Sequence, residues 1–480
     1  MKRLHRVVSH QIAAAICVCV LTCSTHFAQA DEPIAASNDS LASWAHTFSA
    51  ADETLLNEIQ KGCFQYFWKE VGSPALLAKD KTSDVVCSTA AVGFQLSSLP
   101  IGVERGWVTR EAAAARAKTV LKSLLEREDN KKFGIYLHFI NADTGGLPDF
   151  SKTKYHYELT ASTVDHALLE AGAMTAASYF GGDVAKDVNK LIDDADWRAV
   201  YDVKSGYLSM GWRAKTDEGP LGPGEIHPGR WDWASDEERI IYFLAAGAPD
   251  ARKAIEPAAY YRLKRIVKRH KELPPYVVSW NGSLFTYFFS HCWIDYRHLA
   301  ADDPAAFGQA GPGVDWFENS RRATLTQRER CLEVAKEFPT FGENRWGVAP
   351  CAFKNDYLVA EVRPNVSDRD DWRGGIVPPY AAGSAIMFTP RESMAALREY
   401  KSLVDGAGKP VVWRDPEQGG YAFADSFSLD PPHGHDENFG IDTGPLLLAI
   451  ENARTGLVWK LFMQHEVAKR AVDRLKLKPR

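Results

Sequence analysis

Five acidic residues stand where a carboxyl can move a proton: Asp165, Glu170, Glu237, Asp425 and Asp442. Hydrolysis of a glycosidic bond needs one protonated carboxyl to deliver a proton, and usually a second carboxylate to activate water or attack the sugar. Asp165 and Glu170 lie in STVDHALLEAGAM among Val164, Leu168 and Leu169, where an ionised group buried without a partner is costly. Asp165 therefore either faces a solvated central cavity or is paired. Glu237 opens an apolar stretch, IIYFLAAGAP, where a carboxylate either acts as an acid or simply complements the helix dipole.

The loops at 209–238, 289–303 and 425–445 are dense in Trp, Tyr, Asp, Glu and Arg. Aromatic faces pack on the C–H faces of pyranose rings, and carboxylates and guanidinium groups bind hydroxyls. Trp212, Trp231 and Trp233 are thus expected as ring platforms, with Asp165 holding a sugar hydroxyl and Arg454 orienting acidic groups. No GxSxG, P-loop, HExxH or Gly-rich dinucleotide fingerprint is present. The His433-Gly434-His435-Asp436-Glu437 cluster could ligate a metal, but two histidines in a Pro/Gly loop are a weak signal, so neither a metal nor a cofactor is expected.

Apolar residues recur at helical spacing over 53–71, 85–103, 109–128, 161–180, 183–194, 235–246, 260–271, 317–338, 391–404, 444–463 and 466–475. Short β-like pieces at 133–140, 207–212, 277–280 and 421–427 lie between them. Helices apolar on all sides alternate with amphipathic ones, and no βαβ rhythm appears. That pattern predicts an all-α fold of two concentric layers, an α/α toroid with short β-hairpins in its loops.

Residues 1–30 read as a cleavable export signal. Lys2, Arg3 and Arg6 precede an apolar stretch at 12–22, and Ala28-Gln29-Ala30 forms the cleavage pattern. Residues 31–51 read as a tether and 52–480 as one domain. The expected location is periplasmic or secreted. Cleavage removes three basic and no acidic residues, taking the net charge of the 480-residue chain from −5 to −8. Such a chain has no general attraction for nucleic acid or anionic lipid. No membrane span is expected, and the chain reads as a monomer. The mature cysteines Cys63, Cys87, Cys292, Cys331 and Cys351 match no zinc spacing and read as buried thiols.

The chain resembles the glycoamylase-like family, whose best-known members are bacterial endo-β-1,2-glucanases. The resemblance runs through nearly all of 52–465. Among its motifs are AVGFQLSSLPIGVERGWVTREAA (91–113), STVDHALLEAGAMTAASYF (162–180), LSMGW (208–212), SDEERIIYFLAAGAP (235–249), SHCWIDYR (290–297), PYAAGSAIMFTP (379–390) and IDTGPLLLAIENARTGLVWKLFM (441–463). The resemblance implies an (α/α)6 barrel and metal-free, anomer-inverting hydrolysis of a β-glucan, with β-1,2-glucan or its oligosaccharides first. It puts the general acid on Glu237, and Asp425 or Asp442 on the water. Two departures bear on the substrate: Asp165 stands where those enzymes have Glu, and LDPPHGHDEN (429–438) is unlike their pattern. A non-catalytic carbohydrate-binding protein on the same fold and a transglycosylase are the alternatives.

Overall fold

The computed structural model describes residues 33–149, 159–215, 221–354 and 356–480. The export signal lies outside these residues. Fourteen α-helices are described: α1 (Asn38–Trp44), α2 (Ala50–Lys69), α3 (Thr89–Glu104), α4 (Arg110–Leu125), α5 (Thr163–Phe180), α6 (Gly182–Asp194), α7 (Asp236–Gly247), α8 (Ala258–Arg262), α9 (Trp316–Glu333), α10 (Pro379–Ser384), α11 (Pro390–Ser402), α12 (Gly440–Arg454), α13 (Leu457–Met463) and α14 (Glu466–Arg474). Polar N-caps set several starts. Ser49 closes a capping box with Asp52, and Ser88, Thr109, Ser162 and Asp315 each accept a first-turn amide.

Burial sorts these helices into two layers. Residues 89–102 of α3, 165–177 of α5 and 442–452 of α12 are buried on every side. By contrast, α4 buries only the stripe Ala113, Ala117, Val120, Leu121 and Leu124, and α6 only Val184, Val188, Leu191 and Ile192. Packing runs α3 to α5 to α7, on through the 3-10 turns of residues 284–292, then α10, α12 and back to α3. Six inner segments thus close a ring, sheathed by α2, α4, α6, α9, α11 and α14: an (α/α)6 toroid. Contact between α3 and α5 is close enough that a Cβ on Gly172 would lie 1.9 Å from the Gly93 carbonyl oxygen, so both positions require glycine.

Helices α3, α5, α7, α10 and α12 each follow an outer helix (α2, α4, α6, α9 and α11), so these inner helices run parallel. Their N-termini gather at one mouth of the ring. Short antiparallel pairs decorate the loops, among them 426–429 with 432–435 and 160–162 with 211–213. The opposite end is plugged by α13, where Trp459 is buried and its Nε1 donates to the His291 carbonyl at 2.5 Å.

Three expected elements differ. The helix expected at 260–271 ends at Arg262, and Val267–Lys268 is a strand paired with Tyr276–Val277. The long helix expected at 444–463 breaks into α12 and α13 at Gly456, which adopts φ +69°. The segment expected as a tether is docked. Ile34 is 2% exposed and exchanges backbone hydrogen bonds with Gly313 and Asp315, and Trp44 packs edge-on against Phe317 of α9 at 5.6 Å. Two apolar anchors in an Ala/Ser-rich run account for this.

All five described cysteines are buried free thiols. No described helix is long and apolar enough to cross a membrane.

Candidate active site

The first turn of α7 is pinned before Glu237 is presented. Asp236 Oδ2 accepts the Ser290 amide at 2.8 Å and the His291 amide at 3.3 Å, and its other oxygen pairs with Arg239. Arg239 in turn lies over the Trp316 ring at 3.7 Å. Asp236 therefore ties α7 to the adjacent inner segment. Glu237, the next residue, keeps part of its surface accessible while protein encloses it. Its Oε2 accepts Trp280 Nε1–H at 3.4 Å. Burial pushes the Glu237 carboxyl up to about 7, and the charge of Asp165 adds to the effect. At neutral pH a large share of Glu237 carries a proton, as a general acid requires.

Asp165 sits at the N-terminus of α5, the neighbour of α7 in the ring. Ser162 Oγ donates to Asp165 Oδ2 at 2.5 Å, and His138 Nε2 stands 3.4 Å from Oδ1. His138 also faces Asp80, which burial raises to about 6 and the His138 charge pulls down. Asp165 is thus paired, and its charge also raises Glu237. Glu170, one turn deeper, is buried 3.6 Å from His166 Nε2 inside the ring wall. It belongs to the core.

Asp425 and Asp442 meet on the side of the ring opposite α7. Asp425 Oδ2 accepts the Ala352 amide at 2.8 Å, and Asp442 Oδ1 accepts the Tyr357 hydroxyl at 2.8 Å. The two carboxyls are hydrogen-bonded to each other, and both are raised by burial. Repulsion from Asp425 lifts Asp442 further. Two buried carboxylates in contact resist ionising together, so the pair shares a proton and titrates as a unit. Burial and the neighbouring Asp425 charge favour the protonated form of Asp442, while the Tyr357 hydroxyl favours its anion. A cavity of about 20 Å³, room for one water, is bounded by the pair together with Tyr380, Asn438 and Thr443.

Of the expected platforms, Trp231 and Trp233 are half-buried at the mouth. Trp231 Nε1 donates to Thr163 Oγ1 at the start of α5 at 2.8 Å, and Lys264 lies over Trp233 at 4.3 Å. Trp212 is not a platform: it is 2% exposed and sealed into the core, packed against Gly224. Arg454 is not at the site either. It ends α12, twelve residues or about 18 Å along the helix from Asp442, and there it binds Glu53 and Gln60 of α2. Sequence reasoning missed Trp280, Tyr357, Tyr380 and His138. Trp280 and His138 lay in expected β-like pieces and Tyr380 in the PYAAGSAIMFTP motif, whereas Tyr357 carried no signal.

The Glycoamylase family model, described as "Putative glucoamylase", matches residues 230–466. An exo beta-1,2-glucooligosaccharide sophorohydrolase (non-reducing end) of Parabacteroides distasonis is 27% identical over 476 residues; the match covers 92% of this chain and 60% of that protein. Two solved structures share the fold. The beta-1,2-glucanase from Parabacteroides distasonis superposes with a TM-score of 0.74 at 24% identity, over 89% of this chain and 60% of that one. The endo-beta-1,2-glucanase from Chitinophaga pinensis superposes with a TM-score of 0.72 at 21% identity, over 90% and 99%. Family model and curated relative agree that the chain is similar to the glycoamylase-like family, and the solved structures share its fold.

Proposed function

We propose that this protein is a glycoside hydrolase that cleaves β-1,2-glucan or its oligosaccharides with inversion at the anomeric carbon. The observation that carries the reading is the placement of a buried, raised carboxyl on α7 and a coupled carboxyl pair at α12, inner segments on opposite sides of the ring. Helix axes on opposite sides of a six-membered ring stand roughly 16–20 Å apart, so side chains reaching inward leave room for a sugar ring.

In this mechanism Glu237 gives its proton to the glycosidic oxygen as the bond to the anomeric carbon breaks. A water attacks that carbon from the other face, and its proton passes to the Asp425–Asp442 pair, directly or through a sugar hydroxyl. The enzyme ends one proton poorer at Glu237 and one richer at the pair, and exchange with solvent restores both. Asp165 binds a sugar hydroxyl and holds Glu237 protonated, while Trp231 and Trp233 stack against rings. Residues 52–480 act as one catalytic unit, monomeric, in the periplasm or outside the cell after cleavage behind Ala30. The names of the relatives support the linkage.

The test is hydrolysis of linear β-1,2-glucan oligosaccharides by the wild type and by Glu237→Gln, with the anomeric form of the first product followed by NMR. Turnover in the variant falls a hundredfold or more, and the wild type releases the inverted anomer. Undiminished turnover in Glu237→Gln, or a retained anomer, overturns the assignment.

A further inference from the structure

The hairpin formed by 426–429 and 432–435 carries two histidines that the hydrolytic reading does not use. His433 and His435 lie two apart on one strand and so face the same way. Their Nε2 atoms are 3.2 Å apart and their ring centres 5.0 Å. The partners of each ring fix its tautomer. His433 Nδ1 lies 2.9 Å from the Pro431 carbonyl oxygen, which accepts only from Nδ1–H, leaving His433 Nε2 bare. The Lys354 amide N–H points at His435 Nε2 from 3.4 Å, so that nitrogen is bare as well. Two bare nitrogens at this separation repel unless a proton or a metal cation lies between them.

The geometry points to a chelating site for a single divalent transition-metal ion of the zinc, nickel or copper kind at His433 and His435. Two imidazoles radiating symmetrically from one point with these separations meet about 2.0 Å beyond each Nε2, which is the length of a metal–imidazole bond. The His433 Nδ1–H bond to a carbonyl is the outer contact that orients a ligating histidine. The neighbouring carboxylates are engaged elsewhere, Asp436 with Arg414 and Glu437 with Lys81. Among the described residues no cluster of three or more metal-ligating side chains exists. Water therefore fills the remaining positions, and the site is open and exchangeable. Imidazole nitrogens favour zinc, nickel and copper over magnesium and calcium. The site also touches the acid pair: the His435 carbonyl accepts the Asp425 amide at 2.8 Å, so an ion there braces the strand that presents Asp425.

The experiment is calorimetric titration of the chelator-stripped full chain with zinc chloride, nickel chloride and magnesium chloride, alongside His433→Ala and His435→Ala checked for folding by circular dichroism. Zinc and nickel each bind one equivalent, magnesium does not, and either variant weakens zinc tenfold or more. Absence of zinc and nickel binding to the wild type, equal binding by magnesium, or zinc binding unchanged in both variants overturns the site. None of these outcomes depends on hydrolysis, so the glycosidase reading stands or falls separately.

Discussion

Tyr357 donates its hydroxyl hydrogen to Asp442 Oδ1 at 2.8 Å, and this bond favours the ionised form of an acid that burial and Asp425 hold protonated. The ring itself is seated by packing against Phe439 at 4.8 Å, one residue before α12. One phenol thus tunes the pair from the strand at Asp356–Leu358.

Tyr357→Phe keeps the ring and removes the donor. The pair then titrates at higher pH, because its anion has lost a stabilising hydrogen bond. The acidic limb of the kcat–pH profile moves to higher pH, and kcat at pH 6 falls about tenfold while KM changes little. A profile whose acidic limb stays in place separates Tyr357 from the titrating pair.

Glu237 carries a stability cost that depends on pH. Its carboxyl sits near 7 in the folded chain against 4.5 in the unfolded one, so the native state binds this proton more tightly. The penalty is absent below about 4.5, grows as pH rises toward 7 and is constant above. At its ceiling it is on the order of 3 kcal/mol. Glu237→Gln abolishes it. The variant unfolds a few degrees higher than the wild type at pH 8 and at the same temperature at pH 4.5. Calorimetric scans at the two pH values read the difference, and equal shifts at both would show that the carboxyl is not held up by burial.

The layered fold was legible because burial writes itself into periodicity. Inner α3 and α5 are apolar all round, and outer α4 and α6 show a single stripe. Glu237 and Asp165 were legible as acids at the starts of apolar helices. What could not be read was which end of a helix meets the hollow. Arg454 shares α12 with Asp442, yet the parallel inner ring sends it to the far end against α2. Trp212 looked like a loop aromatic, but its strand pairs with Thr160–Ser162 and turns the ring into the core. Tyr357 and Trp280 reach the site only through tertiary packing, which no local pattern encodes.

Arg454→Ala tests that relocation. It leaves Glu53 and Gln60 of α2 without their partner, next to the Gln60–Glu451–Arg105 contacts that join α2, α12 and the end of α3. Stability falls by about 1–2 kcal/mol, read as a lowered denaturant midpoint. At 25 °C kcat and KM for the glucan stay within twofold of the wild type. A raised KM with unchanged stability would return Arg454 to the sugar.

Asp165→Asn separates binding from electrostatics at the neighbouring helix. Asn is close in shape and keeps an oxygen for the Ser162 hydroxyl, but it removes the negative charge that helps hold Glu237 protonated. With that charge gone Glu237 ionises at lower pH. The acid form is lost sooner as pH rises, and the alkaline limb of the kcat–pH profile moves down from near 7. The variant also raises KM, because the sugar hydroxyl loses a charged acceptor. A raised KM with a fixed alkaline limb would mean that Asp165 binds sugar without tuning the acid; a shifted limb with unchanged KM would mean the reverse. The structure, which places Asp165 one inner helix away from Glu237, requires the limb to move.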